Sequence, residues 1–243
     1  MRHSKAFTLI ELAIVLAIIG LIAAGISTAS TLVNSAKVRA QVSQLRKIEA
    51  AYFSFRAAYG YRPGDFSEAT SFWGTAANGD GNGIITPASG DNYLSAYDGE
   101  ITNFFHHLSV SGMLSETYSP NSYTPEVGSP VPSLSPNSTY SFLAIPRLRT
   151  ESDGCFGLNN CVPAANQVGT FLYGLRTSGP GNVGLSGAAN MRAVDLKTDD
   201  GIPATGKFLG IGYWSAYCAN TAVSPNQYFS TQGLDCVFMY RLE

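Results

Sequence analysis

One carboxylate interrupts an otherwise apolar run. Residues 7–26 read FTLIELAIVLAIIGLIAAGI, and Glu11 is the one charged residue among them. A carboxylate inside a bilayer-spanning helix costs on the order of a few kcal/mol even on lenient scales, so it calls for a partner. No cation precedes it within the run. A cut after Ala6 would leave a free amine on Phe7. In a stack of parallel copies, Glu11 of one chain would then meet the Phe7 amine of the next, with the apolar helix faces bundled around the pair.

A second set of oxygen-bearing side chains lies at Asn78-Gly-Asp80-Gly-Asn82-Gly83-Ile84. The spacing matches the start of an EF-hand loop, in which oxygens at alternate positions converge on calcium and a glycine allows the sharp turn. Ser89 stands where the bidentate glutamate belongs, and Asp91 is the nearest substitute. The expected calcium ligands are therefore Asn78, Asp80, Asn82 and Asp91. The competing expectation is a glycine-rich turn whose Asp and Asn side chains cap their own backbone. His106 and His107 are adjacent, so on a helix they diverge by about 100° and do not easily share a metal; a buried or capping role is expected of them. Asp199-Asp200-Gly201, with Asp195 nearby, reads first as a helix-ending turn.

The four cysteines, Cys155, Cys161, Cys218 and Cys236, lack zinc-knuckle spacing. Of the three pairings, Cys155–Cys161 with Cys218–Cys236 is favoured because each bridge closes a local loop. Such bridges imply an oxidising compartment. No G-x-S-x-G, H-E-x-x-H or P-loop sequence occurs, so an enzyme is not expected. A formal net charge of −2, falling to −4 if Arg2 and Lys5 leave with a leader, offers no basic field for nucleic acid.

Three elements must position these groups. Residues 1–6 form a short basic leader that stays cytoplasmic. The apolar run, extended to residues 7–29, is long enough to span about 30 Å of bilayer core. An ordinary secretory signal cut near Ala29 fits less well, because its apolar region usually holds about 7–15 residues without a charge. Beyond it Val38, Val42, Leu45, Ile48, Tyr52, Phe55 and Tyr59 recur every three or four residues, which predicts one helix over 7–59 with a buried stripe in its second half. Gly60 and Pro63 end it. Residues 60–243 form an extracytoplasmic head. It has a helix within 98–114, a Ser/Pro-rich loop at 115–138, and strands at 140–145, 170–175, 208–217 and 236–242. A short helix at 188–197 precedes the third strand. The fold class expected is α+β, a long helix packed on a small antiparallel sheet.

Phe7-Thr8-Leu9-Ile10-Glu11-Leu12, followed by an apolar run containing Gly20, resembles the N-terminal signal of type IV pilins and type II secretion pseudopilins. The resemblance implies cleavage before Phe7 by a prepilin peptidase, N-methylation of Phe7, and a role for Glu11 in assembly. It implies as partners other pilin-like subunits and an inner-membrane assembly platform. The location implied is the bacterial inner membrane in a single pass, then a periplasmic or surface filament. Ala6 stands where the family usually has Gly. Thr28 stands where many members carry a helix-bending proline, which implies a straighter helix. The Pro-Gly-Asp turn at 63–65, the GDGNG loop, FFHHLSVSGML and DLKTDDGIPATGK also resemble segments of pseudopilin-like heads. The function expected is a structural subunit of a pilus or secretion pseudopilus, the alternative being a minor or tip subunit that binds an adhesion target or secretion substrate.

Overall fold

The computed structural model describes residues 8–85, 99–119, 140–145, 170–176, 188–203, 205–212, 219–220, 227–228 and 236–242. Its dominant element is α1, Leu9–Tyr59, one uninterrupted helix of 51 residues. At 1.5 Å per residue it is about 77 Å long. It ends where expected: Gly60 takes a left-handed φ of 77° and its N–H donates to the Arg56 carbonyl.

The two halves of α1 differ in what covers them. From Leu9 to Val33 the large apolar side chains are all exposed, Leu9 at 88% and Val15 at 51%. From residue 38 onward Val38, Val42, Leu45, Ile48, Ala51, Tyr52 and Phe55 are buried. The stripe read from the spacing is thus the face that meets the head, with Tyr59 packed at its edge.

The head wraps that stripe. A short helix α2, Ala69–Trp73, follows the turn after α1, and α3 spans Gly99–Val110. β1 (Tyr140–Ile145), β2 (Phe171–Arg176), β3 (Phe208–Gly212) and β6 (Cys236–Arg241) form an antiparallel sheet in the order β1-β2-β6-β3. The last strand therefore inserts between β2 and β3. A two-stranded ribbon, β4 (Ala219–Asn220) with β5 (Gln227–Tyr228), lies outside it. α4, Ala188–Thr198, packs between α1 and β3. The architecture is α+β, as the sequence predicts.

α3 is more enclosed than its sequence suggests. Ile101, Phe104, Phe105 and Leu108 are fully buried, but so are Thr102, Asn103, His106 and His107. Both α1 and β1 pack against this helix, and the two histidines meet the backbone at Gly64, Ala77 and Tyr118. Polar links fasten the head to α1. Arg46 donates to the Lys197 carbonyl at the end of α4 at 3.0 Å, and Tyr52 donates to Thr170 Oγ1 at 3.3 Å. Glu49 pairs with Lys207 and accepts from the Tyr240 hydroxyl at 2.7 Å.

Candidate functional site

The N-terminal site begins at Thr8, the N-cap of α1. Its N–H and hydroxyl both donate to Glu11 Oε2, at 2.8 and 2.7 Å, while the Glu11 N–H donates to Thr8 Oγ1 at 3.4 Å. This is a capping box, which satisfies helix N–H groups that have no partner in the first turn. Glu11 therefore has partners inside its own chain. The T-x-x-E spacing carries that signal, and reading Glu11 only as a partner for a second chain passed over it. Ala6 and Phe7 lie outside the described residues.

Among the described residues one helix, α1, is long and apolar enough to cross a membrane, with a mean hydropathy of 2.7 over its most apolar window. None of that window is buried within the chain. An exposed apolar surface of this size must be covered by lipid, by other copies, or by both in turn.

A second set of groups surrounds the turn that follows α1. Asn78, Asp80 and Asn82 do not converge on a common centre. Asn78 Oδ1 accepts from the Thr70 N–H at 2.8 Å. Asp80 accepts from the Asn82 N–H at 2.9 Å and from its amide at 2.6 Å, and Asn82 Oδ1 accepts from the Ile84 N–H at 2.7 Å. These are the bonds of side chains capping a glycine-rich turn. Asp91 lies outside the described residues. What Asp80 does meet is Asp65, from the Pro-Gly-Asp turn, and Glu100, from the first turn of α3: one oxygen from each lies within 4.8 Å of the others. The Asp80 N–H donates to Glu100 Oε1 at 2.7 Å, and the Gly83 N–H donates to Asp65 Oδ2 at 3.0 Å. Asp65 is 1% exposed. Burial first, then the charge of Glu100, pushes its carboxyl up to about 6. Sequence reasoning missed Asp65 and Glu100 because 35 residues separate them. The signal available was that each sits beside a glycine, in Pro-Gly-Asp and Asp-Gly-Glu.

His107 supports this region from below. Its Nδ1 accepts the Gly64 N–H at 2.9 Å, and Nε2 lies 2.8 Å from the Ala77 carbonyl, so the ring is neutral with its proton on Nε2. Burial pushes its pKa down to about 4. His106 instead places Nδ1 against the Tyr118 carbonyl. The two rings diverge as adjacent helical positions should, and both serve the backbone around them.

The third set, Asp195, Asp199 and Asp200, also gathers carboxylate oxygens within 4.8 Å. Here every member is already used. Asp195 accepts from the Tyr228 hydroxyl at 2.9 Å and the Gly201 N–H at 3.2 Å. Asp199 accepts the Lys207 and Phe208 N–H groups, and Asp200 accepts from Ile202 and Thr205. This is the helix-ending turn expected from the sequence. Burial pushes the Asp195 carboxyl up to about 7.

Cys155, Cys161 and Cys218 lie outside the described residues, as does the side chain of Cys236, whose backbone pairs with Gly212. The loop at 120–138 lies outside them too.

No curated protein and no solved structure matches the chain. The model of the prokaryotic N-terminal methylation motif matches residues 1–27, the stretch that holds the basic leader, the capping box and most of the exposed apolar helix. In that segment, with Ala6, Phe7 and Glu11 inside it, the chain carries the prepilin-type signal of type IV pilins and pseudopilins.

Proposed function

We propose that this chain is a non-enzymatic filament subunit of the pilin type. It is cut before Phe7 by a prepilin peptidase, methylated there, held in the inner membrane by the first half of α1, and assembled through that same half. The observation that supports this best is a coincidence of limits. The methylation motif covers residues 1–27, and the exposed apolar part of α1 runs from Leu9 to Val33 before the head begins to cover the helix at Val38. Heterologous packing of such helices gives a filament where the rotation between copies does not close a ring.

In this reading Glu11 changes partner. In the lone subunit its carboxylate is held by Thr8. In the filament it faces the Phe7 amine of a neighbouring copy, which neutralises a charge that lipid and apolar side chains cannot. Truncating one member of a buried charge pair costs about 2–5 kcal/mol, at least about tenfold in an equilibrium.

The test separates the cap from the assembly role. Glu11→Gln keeps a side chain that can complete the capping box but removes the charge; Glu11→Ala removes both. Both variants are expected to be processed and membrane-inserted, with filament incorporation reduced at least about tenfold. Incorporation of either at the wild-type level would remove Glu11 from assembly.

A second reading, a minor or tip subunit whose loops bind an adhesion target or secretion substrate, is supported by the large head of residues 60–243 and its long loop at 115–138. Copy number per filament separates the two: a repeating subunit is abundant, and a tip subunit is present in a few copies at one end. Scoring secreted protein, surface filaments and twitching together in a deletion strain separates pilus from secretion pseudopilus.

A further inference from the structure

Charge is segregated where α1 leaves its exposed apolar half. Between Glu11 and Glu49 the helix carries Lys37, Arg39, Arg46 and Lys47 and no acid. α4, packed beside this stretch, adds Arg192 and Lys197. Its one carboxylate, Asp195, is buried and holds the Tyr228 hydroxyl and the Gly201 N–H. Cations gathered on one surface repel one another and attract an anion.

A cleft of about 220 Å³ lies between the two helices where the head begins. Thr31, Asn34, Ser35 and Arg39 line it from α1, and Asn190 and Lys197 from α4. A second cleft, of about 410 Å³, shares Arg39 and Lys197 with the first and adds Arg46. Among the described residues no carboxylate lines either cleft, and the side chains of Arg39 and Lys197 form no ion pair.

We propose that the smaller cleft binds the phosphodiester headgroup of an anionic phospholipid. This rests on the reading that the first half of α1 lies in a membrane. The hydroxyls, amides, guanidinium and ammonium around the cleft can all donate to phosphate oxygens, and the two cations do so most strongly. A zwitterionic headgroup would bring an amine, for which the cleft has no carboxylate. Selection therefore favours a headgroup whose remainder is uncharged.

Position favours a lipid over a soluble phosphate ester. Leu32 and Val33, both exposed, adjoin Thr31 and Asn34, so acyl chains attached to a phosphate in the cleft meet apolar surface at once. Arg39 stands six residues past Val33, about 9 Å along the helix. The headgroup layer is roughly 5–8 Å deep on each side of the bilayer. Helical Cα–Cβ bonds tilt toward the N-terminus, here the membrane end, and a long cationic stem can carry its charge further that way. Lys47, about 21 Å past Val33, lies beyond the layer.

Native mass spectrometry of the full chain in detergent tests this, titrated with phosphatidylglycerol or with phosphatidylethanolamine of the same acyl chains. One phosphatidylglycerol per chain is expected, held at least about fivefold more tightly than phosphatidylethanolamine. Arg39→Gln and Lys197→Gln, both at exposed positions, should each weaken it about fivefold, the worth of one cation at a lipid surface. Lys47→Gln loses the same charge outside the layer and should weaken it less than about twofold. Melting curves matching the wild type show that the variants are folded. Glycerol phosphate, the headgroup without its chains, should not displace the lipid at equal concentration; displacement would assign the cleft to a soluble phosphate ester and overturn the lipid source. Equal binding of the two lipids, or equal losses in all three variants, would overturn the proposal. So would dimers that form in place of lipid binding and that Arg39→Gln dissolves, since the cleft would then serve a second copy. The experiment needs neither a prepilin peptidase nor other subunits. A chain that selects phosphatidylglycerol but is not processed fails the filament reading alone, and one that is processed but binds the two lipids equally fails this inference alone.

Discussion

Gly64→Ala is expected to destabilise the head by more than about 4 kcal/mol, among the largest losses a single methyl group can cause. Two effects add. Gly64 sits at φ +90°, a conformation that costs an L-residue roughly 1–2 kcal/mol. A Cβ there would also stand 2.4 Å from the Glu100 main-chain oxygen. That neighbour is backbone in the first turn of α3, and the helix has no room to move: Glu100 to Leu108 are all buried. His107 also ties α3 to the Gly64 N–H at 2.9 Å. Urea denaturation of the full chain in detergent, followed through the combined fluorescence of Trp73 and Trp214, measures the loss. A cost below about 1 kcal/mol would mean that the turn and α3 are not in the contact described here.

Phe55→Ala should cost about 3–5 kcal/mol, the range for removing a buried aromatic ring. Phe55 is fully buried at the point where α1 enters the head. Its ring centroid lies 4.7 Å from Tyr59, 6.1 Å from Phe66, 6.0 Å from Trp73 and 6.2 Å from His107. No single neighbour can collapse into the space without abandoning the others. Phe53, two residues earlier, is 44% exposed, and its truncation should stay within about 0.5 kcal/mol. Melting both variants beside the wild type gives the comparison. The far-ultraviolet signal of the first half of α1 should survive in each, because the large apolar side chains of that half are not packed in the head. Equal losses for Phe53→Ala and Phe55→Ala would mean that the helix is not rotated as described.

The contrast between these two phenylalanines also shows why so much of α1 was legible. A helix that packs on one side writes its orientation into the spacing of its apolar residues, and Val38, Val42, Leu45, Ile48, Tyr52 and Phe55 did so. The strand segments were legible for a similar reason, with β1 found over 140–145 and β6 starting at Cys236. The order of the sheet was not. Insertion of β6 between β2 and β3 depends on pairings such as Leu172 with Tyr240 and Phe208 with Tyr240, which leave no local pattern. α2 and the β4–β5 ribbon are too short to show a period. The enclosure of α3 was hidden in part, since Thr102 and Asn103 look like a solvent face although both are buried.

The sites divide in the same way. The processing segment is contiguous, so residues 1–27 carried its meaning without a structure. The acidic cluster is assembled from three separate segments, and of its members only Asp80 was read as a ligand. The intramolecular partner of Glu11 was one spacing away, at Thr8, and reading it needed attention to the helix end rather than to the membrane.

The central claim, that this chain is a processed pilin-type subunit, is tested most directly by the mass of its mature N-terminus. The full chain, expressed in cells with and without a prepilin peptidase, should be purified from the membrane and its N-terminal peptide analysed. The account predicts that the peptidase removes residues 1–6 and leaves a chain beginning at a methylated Phe7, and that cells lacking it retain the basic leader. A mature terminus near Ala29, as an ordinary secretory signal would leave, or a leader untouched by the peptidase, would contradict it.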